Sequence, residues 1–212
     1  MAFLHGVEVI EIDAGPRPIQ TVKSSVIGIV GTAPDADPDV FPLNTPVLVA
    51  GSRKEAAGLD TVGTALGTLP AAMDGIFDQI GAVVIVVRVE EGATEAESLA
   101  NVIGGVNAVD GNFEGVHALV GAESVVGFSP RILIAPGFTH QRPLDNANPV
   151  VAELQGIGDR LRAVIIADGP NTNDADAIIA AGDFGSDRIY LIDPWHKVMV
   201  GSDIVSVPAS SR

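Results

Sequence analysis

The sequence predicts an α/β domain: a mostly parallel sheet with helices on both faces, preceded by an extended N-terminal strand arm. Three observations carry this. Six short runs rich in Val and Ile, at 26–30, 46–50, 82–89, 132–135, 163–167 and 188–192, read as buried strands, mostly flanked by Gly, Pro or polar residues. Helical apolar patterns fall between most of them, as βαβ units require. Hydrophobic residues make up 47% of the 212 positions but aromatics only 4%, so the core must be Val, Ile, Leu and Ala. Such a composition suits strands covered on both faces.

The elements follow in order. Val7-Glu8-Val9-Ile10-Glu11-Ile12 is β-branched, and its alternation slips phase between Val9 and Ile10. A strand with a slipped pattern has no clean core face. It reads either as a strand tethered outside the main core or as an ordinary edge strand. Ala14-Gly15-Pro16-Arg17-Pro18 is a turn or linker signal. The division predicted is therefore an arm and linker over 1–20, an α/β core over 21–207, and a linker over 208–212 that leads to a further, missing domain. The core is expected to fold without the first 20 residues.

Within the core, Ser52 can cap a short helix through Lys54, Glu55 and Ala57, stopped by Gly58. Leu66, Leu69, Met73, Ile76, Phe77 and Ile80 make one apolar helical face, with Pro70 near its first turn. Thr94 and Glu97 have the spacing of a capping box, opening a helix through Leu99, Val102, Ile103 and Val106. Val150, Val151, Leu154, Ile157 and Leu161 form another face, and Asn173 or Asp174 can cap a helix through Ile178, Ile179 and Ala181, ended by Gly182. The Gly-rich stretch 110–129 offers only a short helix or turn at 116–120. Residues 198–200 and 204–207 are strand-like.

Composition excludes several functions. The net charge of −15 repels phosphates, which disfavours direct contact with nucleic acid. There is no cysteine, hence no disulfide, thiolate catalysis or Cys-based zinc site. The longest apolar run, 82–87, is too short to span a bilayer, and Met1-Ala2-Phe3-Leu4-His5-Gly6 lacks the basic-then-apolar order of a signal peptide. No cofactor is expected.

The chemical candidates are weak. Gly28-Ile29-Val30-Gly31 follows a strand start but lacks the third glycine of a dinucleotide fingerprint, and no Gly-Lys-Ser/Thr phosphate loop exists. Asp168, Asp174 and Asp176 lie after a strand, where they could hold a metal or simply start a helix. His5, His117, His140 and His196 share no metal-ligand spacing. Trp195 is either a binding hot spot or an aromatic plug at the sheet edge.

Several segments in order resemble contractile tail sheath proteins of the phage P2-like and R-type pyocin-like branch. These are Phe3-Leu4-His5-Gly6-Val7, Ser25-Val26-Ile27-Gly28-Ile29-Val30-Gly31-Thr32-Ala33, Pro46-Val47-Leu48-Val49 with Ser52-Arg53-Lys54-Glu55-Ala56, and Pro130-Arg131-Ile132-Leu133-Ile134-Ala135-Pro136-Gly137. Ala167-Asp168-Gly169-Pro170-Asn171, Phe184-Gly185-Ser186-Asp187-Arg188 and Ile192-Asp193-Pro194 complete the order. The resemblance implies a non-enzymatic structural subunit, N-terminal portion, that assembles with copies of itself as hexameric rings in a helical sheath. It implies a tail tube protein, baseplate and tail terminator proteins as partners, and neither direct nucleic-acid contact nor membrane insertion. The place implied is a virion tail or phage-like particle assembled in the bacterial host cytoplasm. It also implies that an N-terminal arm, here Phe3, Leu4, Val7, Val9, Ile10 and Ile12, adds a strand to a sheet in a neighbouring subunit. The alternative is a small α/β nucleotide-binding or hydrolytic domain, which would need convergent polar groups at the strand C-termini.

Overall fold

The computed structural model describes residues 25–200 and 202–212. The arm residues Phe3, Leu4, Val7, Val9, Ile10 and Ile12 lie outside the described residues, as does His5.

A six-stranded sheet forms the centre. Its strands are β1 (Val26–Thr32), β2 (Pro46–Ala50), β3 (Val83–Val89), β6 (Ile132–Ile134), β7 (Val164–Asp168) and β8 (Ile189–Ile192), in the order β2-β3-β1-β6-β7-β8. All six coincide with the predicted runs to within a residue or two. Five strands run parallel, with β1 pairing β3 from Val26↔Val83 to Thr32↔Val89 and β6 through Ile27↔Ile132. The exception is β2, antiparallel to β3 from Pro46↔Val87 to Ala50↔Val83. The chain between β1 and β2 carries no crossover helix, and a parallel return needs one. Pro46 lacks an N–H and sits at the first residue of this edge strand, where none is missed.

Six helices surround the sheet: α1 (Arg53–Ala56), α2 (Leu69–Gln79), α3 (Glu95–Ile103), α4 (Ala122–Val126), α5 (Pro149–Leu161) and α6 (Asp174–Gly182). Their starts follow the sequence signals. Ser52 accepts from the Lys54 amide, and Thr94 from the Glu97 amide. Glu97 returns its carboxylate to the Ala93 amide rather than to that of Thr94, one residue beyond the capping-box pattern. Asn148 and Asn173 cap α5 and α6 through the amides of Val151 and Asp176. Pro70 lies in the first turn of α2.

Side chains alternate across the sheet with the period of two that strands impose. Val26, Val30, Ile85, Val87, Leu133 and Ile165 point into one layer, against Val102 of α3, Leu119, and Val150, Leu154 and Ile157 of α5. Ile29, Val84, Val86 and Ile134 point into the other, against Leu69, Ala72, Met73 and Ile76 of α2 and against Phe41 and Leu59. Gly31 permits this second contact: a Cβ there would stand 2.3 Å from Thr68 Oγ1. In its place the Thr68 hydroxyl accepts from the Thr32 amide at 3.2 Å. This glycine of the incomplete dinucleotide fingerprint thus serves close helix–strand packing.

Several local expectations are corrected. Gly58 does not stop the first helix, because a 3-10 turn (Ala57–Leu59) carries the chain through it. Leu66 and Ile80 flank α2 rather than belong to it and are exposed, as is Val106, which follows α3 in a short strand β4 (Gly105–Val106) paired with β5 (Phe113–Glu114). The stretch 110–129 holds β5, a 3-10 helix (Gly115–Gly121) that buries Val116, Ala118 and Leu119, and then α4. The strand-like C-terminal pieces are β9 (His196–Val200) and β10 (Asp203–Val207), which pair with each other as a separate antiparallel sheet. No helix among the described residues is long and apolar enough to cross a membrane.

Residues 208–212 do not run as a free linker. They form a 3-10 turn (Ala209–Ser211) whose three residues are all buried. The tie is local chemistry: Asp168 accepts from the Ser210 amide at 2.8 Å and from its hydroxyl at 2.7 Å, and Arg212 reaches Asp78 at 3.1 Å. Pro, Ala and Ser read as linker residues by composition, yet small side chains are also what a narrow slot accepts. Gly75 of α2 completes the slot, since a Cβ there would lie 2.3 Å from the Ser211 carbonyl oxygen.

Candidate interaction surface

The two layers over the sheet are unequal. The connections from β3 to β6, β6 to β7 and β7 to β8 all step in one direction along the sheet. Right-handed crossovers therefore put their helices on one face. Of the six helices, only α1 and α2 follow the opposite step, and α2 covers the β3–β1 half. Over β6 and β7 the second face is left to the β9–β10 hairpin and to the buried 3-10 turn (Ala209–Ser211), which sits between α2 and β7. Between α2 and β9 lies an open cleft of about 660 Å³. Its floor is Ile27, Ile132 and Ile166; Ile80 and Gln79 form one wall, and His196, Lys197 and Val198 the other. The floor isoleucines are only partly buried and Ile80 is 68% exposed. A sheet of this kind is ordinarily covered on both faces; among the described residues this part of the second face is only partly covered.

The strand C-termini, where an enzyme of this fold would bind its ligand, are filled differently. At the switch between β1 and β6, Val207, Pro208, Ser211 and Arg212 pack against Gly67, Thr68, Pro136 and Gly137, leaving about 180 Å³. Next to it Asp168, fully buried, accepts from Thr139 Oγ1 at 3.0 Å as well as from Ser210. The Thr139 hydroxyl oxygen in turn accepts from the Asp168 amide at 2.9 Å. This carboxylate fastens three segments to one another.

Asp174 and Asp176 do not join Asp168. They occupy the first turn of α6, where acids are favoured by the helix dipole, and the Asp176 carboxylate accepts from Thr172 Oγ1 and Asn173 Nδ2. Among the described residues no three His, Asp or Glu side chains converge as a metal site. His117 pairs with Glu153 at 3.0 Å. His140 stacks edge-on against Trp195 with ring centroids 4.9 Å apart. Burial holds His140 below its usual pKa, against the opposing pull of Asp168 and Glu95. The Trp195 indole N–H donates to the Gly169 carbonyl at 2.9 Å, so this ring sits at the end of β7, an interior strand, rather than at the sheet edge. The sequence does not mark Ile27, Ile132 and Ile166 as a shared surface. Their isoleucines look like any buried strand residue, because coverage of a face is not written in the strand.

The fold and this surface define a class: an α/β core whose strand C-termini are packed by its own C-terminal segment and whose second face, among the described residues, carries an apolar cleft. The comparisons then identify the family. The model for the tail sheath protein Gp18 domain III N-terminal region matches residues 24–89. A prophage major tail sheath protein of Pseudomonas aeruginosa is 37% identical over 199 residues, which cover 93% of this chain and 48% of that protein. The tail sheath protein of Escherichia phage P2 is 39% identical over 167 residues, 76% of this chain and 39% of that one. The helical sheath of the anti-feeding prophage in its contracted state superposes over 100% of this chain and 50% of its own, with a TM-score of 0.54 at 14% identity, a likeness of fold. The chain belongs with the tail sheath proteins and spans about half the length of the curated relatives it matches, a coverage that fits an N-terminal portion.

Proposed function

We propose that this chain is the α/β core of a contractile tail sheath subunit, in which copies assemble as hexameric rings of a helical sheath around a tail tube. Contraction of that sheath drives the tube through the host envelope. The single observation that carries the reading is 37% identity to a tail sheath protein across 93% of the chain. The role is structural and needs no catalysis or cofactor. The tube protein, the baseplate and the tail terminator are the other contacts, and the product is a virion tail or phage-like particle assembled in the bacterial cytoplasm. The arm, Phe3, Leu4, Val7, Val9, Ile10 and Ile12, links subunits by strand addition, which draws on main-chain hydrogen bonds and asks little of sequence.

The test uses the longer protein. Negative-stain microscopy is expected to show tubes, and Val9→Pro, which removes one backbone donor, is expected to abolish them while circular dichroism stays unchanged. The 212-residue chain alone is expected to remain monomeric or weakly associated by light scattering. Tubes that survive Val9→Pro would defeat the role of the arm. Micromolar binding of ATP or NAD by calorimetry would favour the nucleotide-binding alternative.

A further inference from the structure

We infer that the Trp195 turn is a proton-sensitive latch on the β9–β10 hairpin: with His140 neutral the turn closes against the end of β7, and with His140 protonated it releases and loosens the hairpin. The latch lies wholly within one subunit and does not depend on the sheath reading.

The way the hairpin is held makes it releasable. Among the described strands, β9 and β10 pair with each other and share no ladder with the six-stranded sheet. A two-stranded sheet is marginal by itself, so its attachments decide whether it stays in place. Before β9 those attachments converge on the loop after β7. The Trp195 indole N–H donates to the Gly169 carbonyl at 2.9 Å and the Trp195 amide to Asn171 Oδ1 at 3.2 Å. The Asn171 amide in turn donates to Asp193 Oδ1 at 2.7 Å. After β10, Ser210 is tied to Asp168. Lifting the turn therefore frees β9, while Ser210 keeps the far end of the hairpin anchored.

His140 is placed to oppose closure once it is charged. Its ring stands edge-on to Trp195 with centroids 4.9 Å apart, and its Nδ1 is buried with no hydrogen-bond partner among the described residues. A neutral imidazole can carry its one proton on Nε2 and leave a lone pair at Nδ1, but an imidazolium must place an N–H there. A buried donor without an acceptor is costly, and more so when it carries charge. The charged groups nearby are already engaged. Asp168, at the end of β7, accepts from Thr139 and, through both carboxylate oxygens, from Ser210. Glu95, in the first turn of α3, accepts from Gln141 Nε2 at 3.1 Å. Asp193, on the same turn as Trp195, is held by the Asn171 amide, and Arg142 is paired with Asp183. His196 and Lys197, which open β9, line the cleft. Burial accordingly holds His140 below its usual 6.5, although Asp168 and Glu95 pull it upward. With the turn lifted the ring meets water and regains its ordinary affinity for a proton. The open state thus binds the proton more readily than the closed one, and falling pH favours release from 6.5 down through the lowered value.

Trp195 is the only tryptophan in the chain, so its fluorescence reports this contact alone. The 212-residue chain is titrated from about pH 8 to about pH 4, the range in which histidine changes charge. Tryptophan emission is expected to shift to the red with a midpoint below 6.5 while far-UV circular dichroism stays unchanged. Hydrogen exchange at 196–199 and 203–207, corrected for its intrinsic pH dependence, is expected to rise by up to about tenfold per pH unit between 6.5 and the lowered value. His140→Gln and His140→Phe are expected to abolish both changes, and His117→Gln and His196→Gln to preserve them. Trp195→Phe, which removes the indole donor, is expected to raise the same exchange already at neutral pH. Emission that does not move, or that still moves in both His140 variants, would overturn the latch. So would a fall in intensity with neither red shift nor faster exchange, which is quenching by a protonated ring inside a closed turn. Loss of the far-UV signal over the same range would overturn it too, as unfolding of the whole domain. None of these outcomes bears on the tubes of the longer protein, so the latch and the sheath reading fail separately.

Discussion

The two faces of one sheet are built from the same kinds of residue and finished to different degrees. On the first, α3, α5 and the 3-10 helix at 115–121 bring Val102, Leu119, Val150, Leu154 and Ile157 down onto Val30, Ile85, Leu133 and Ile165, and the layer is closed. On the second, α2 closes the half over β3 and β1 and stops, leaving Ile27, Ile132 and Ile166 under a cleft. The closed layer holds the fold together, since each fully buried aliphatic side chain contributes about 1.5–3 kcal/mol. The open layer has the same aliphatic surface without its cover.

The sharpest way to test this division is a pair of truncations. Leu154→Ala, in the closed layer, is expected to cost about 2–5 kcal/mol in urea unfolding, the range for a large-to-small change with no room to relax. Ile166→Ala, in the cleft, is expected to cost clearly less, because its site is already partly open to solvent. Equal losses would show that the cleft is as tightly packed as the other face.

Asp168→Asn probes the seam between the layers. It removes the charge that holds Ser210 and Thr139 and is expected to cost roughly 1–3 kcal/mol, the scale for disturbing a buried hydrogen-bond set. Hydrogen exchange should then rise at 208–212 before it rises in β7. His140 should also titrate lower in the variant, since Asp168 is one of the groups that raise its pKa. An unchanged exchange pattern would mean that Gly75 and Arg212, not Asp168, hold the segment.

The smallest effects are those of pH. His140 has a folded pKa below its ordinary 6.5, with burial as the main cause. The unfolded state therefore binds its proton more readily, and stability present above 6.5 is lost as pH falls from there through the lowered value. Asp183 is held below 3.8 by its hydrogen bond with Arg142, at 2.7 and 3.0 Å. Its contribution is present above 3.8 and is lost as pH falls through the lowered value. Thermal melts across pH 7 to 3 are expected to fall in two steps. His140→Phe should flatten the upper one and Asp183→Asn the lower.

By itself the sequence determined the elements. Buried parallel strands need apolar side chains on both faces, so 26–30, 82–89 and 163–167 stand out as continuous runs, and Ser52, Thr94 and Asn173 mark helix starts because a cap is a local hydrogen bond. It determined as much of the family through the order of its short motifs. What only the tertiary structure decided is non-local. That β2 turns antiparallel, that residues 196–207 leave the sheet to pair with each other, and that Asp168 reaches across 42 positions to Ser210 depend on partners far along the chain. The cleft is the clearest case. Ile27 and Ile29 are the same residue two positions apart on the same side of β1. One is half-buried and the other sealed, because Ile29 joins the cluster that α2 covers while Ile27 lines the cleft between α2 and β9. A strand encodes which way its side chains point; what comes to lie over them is set by the rest of the chain.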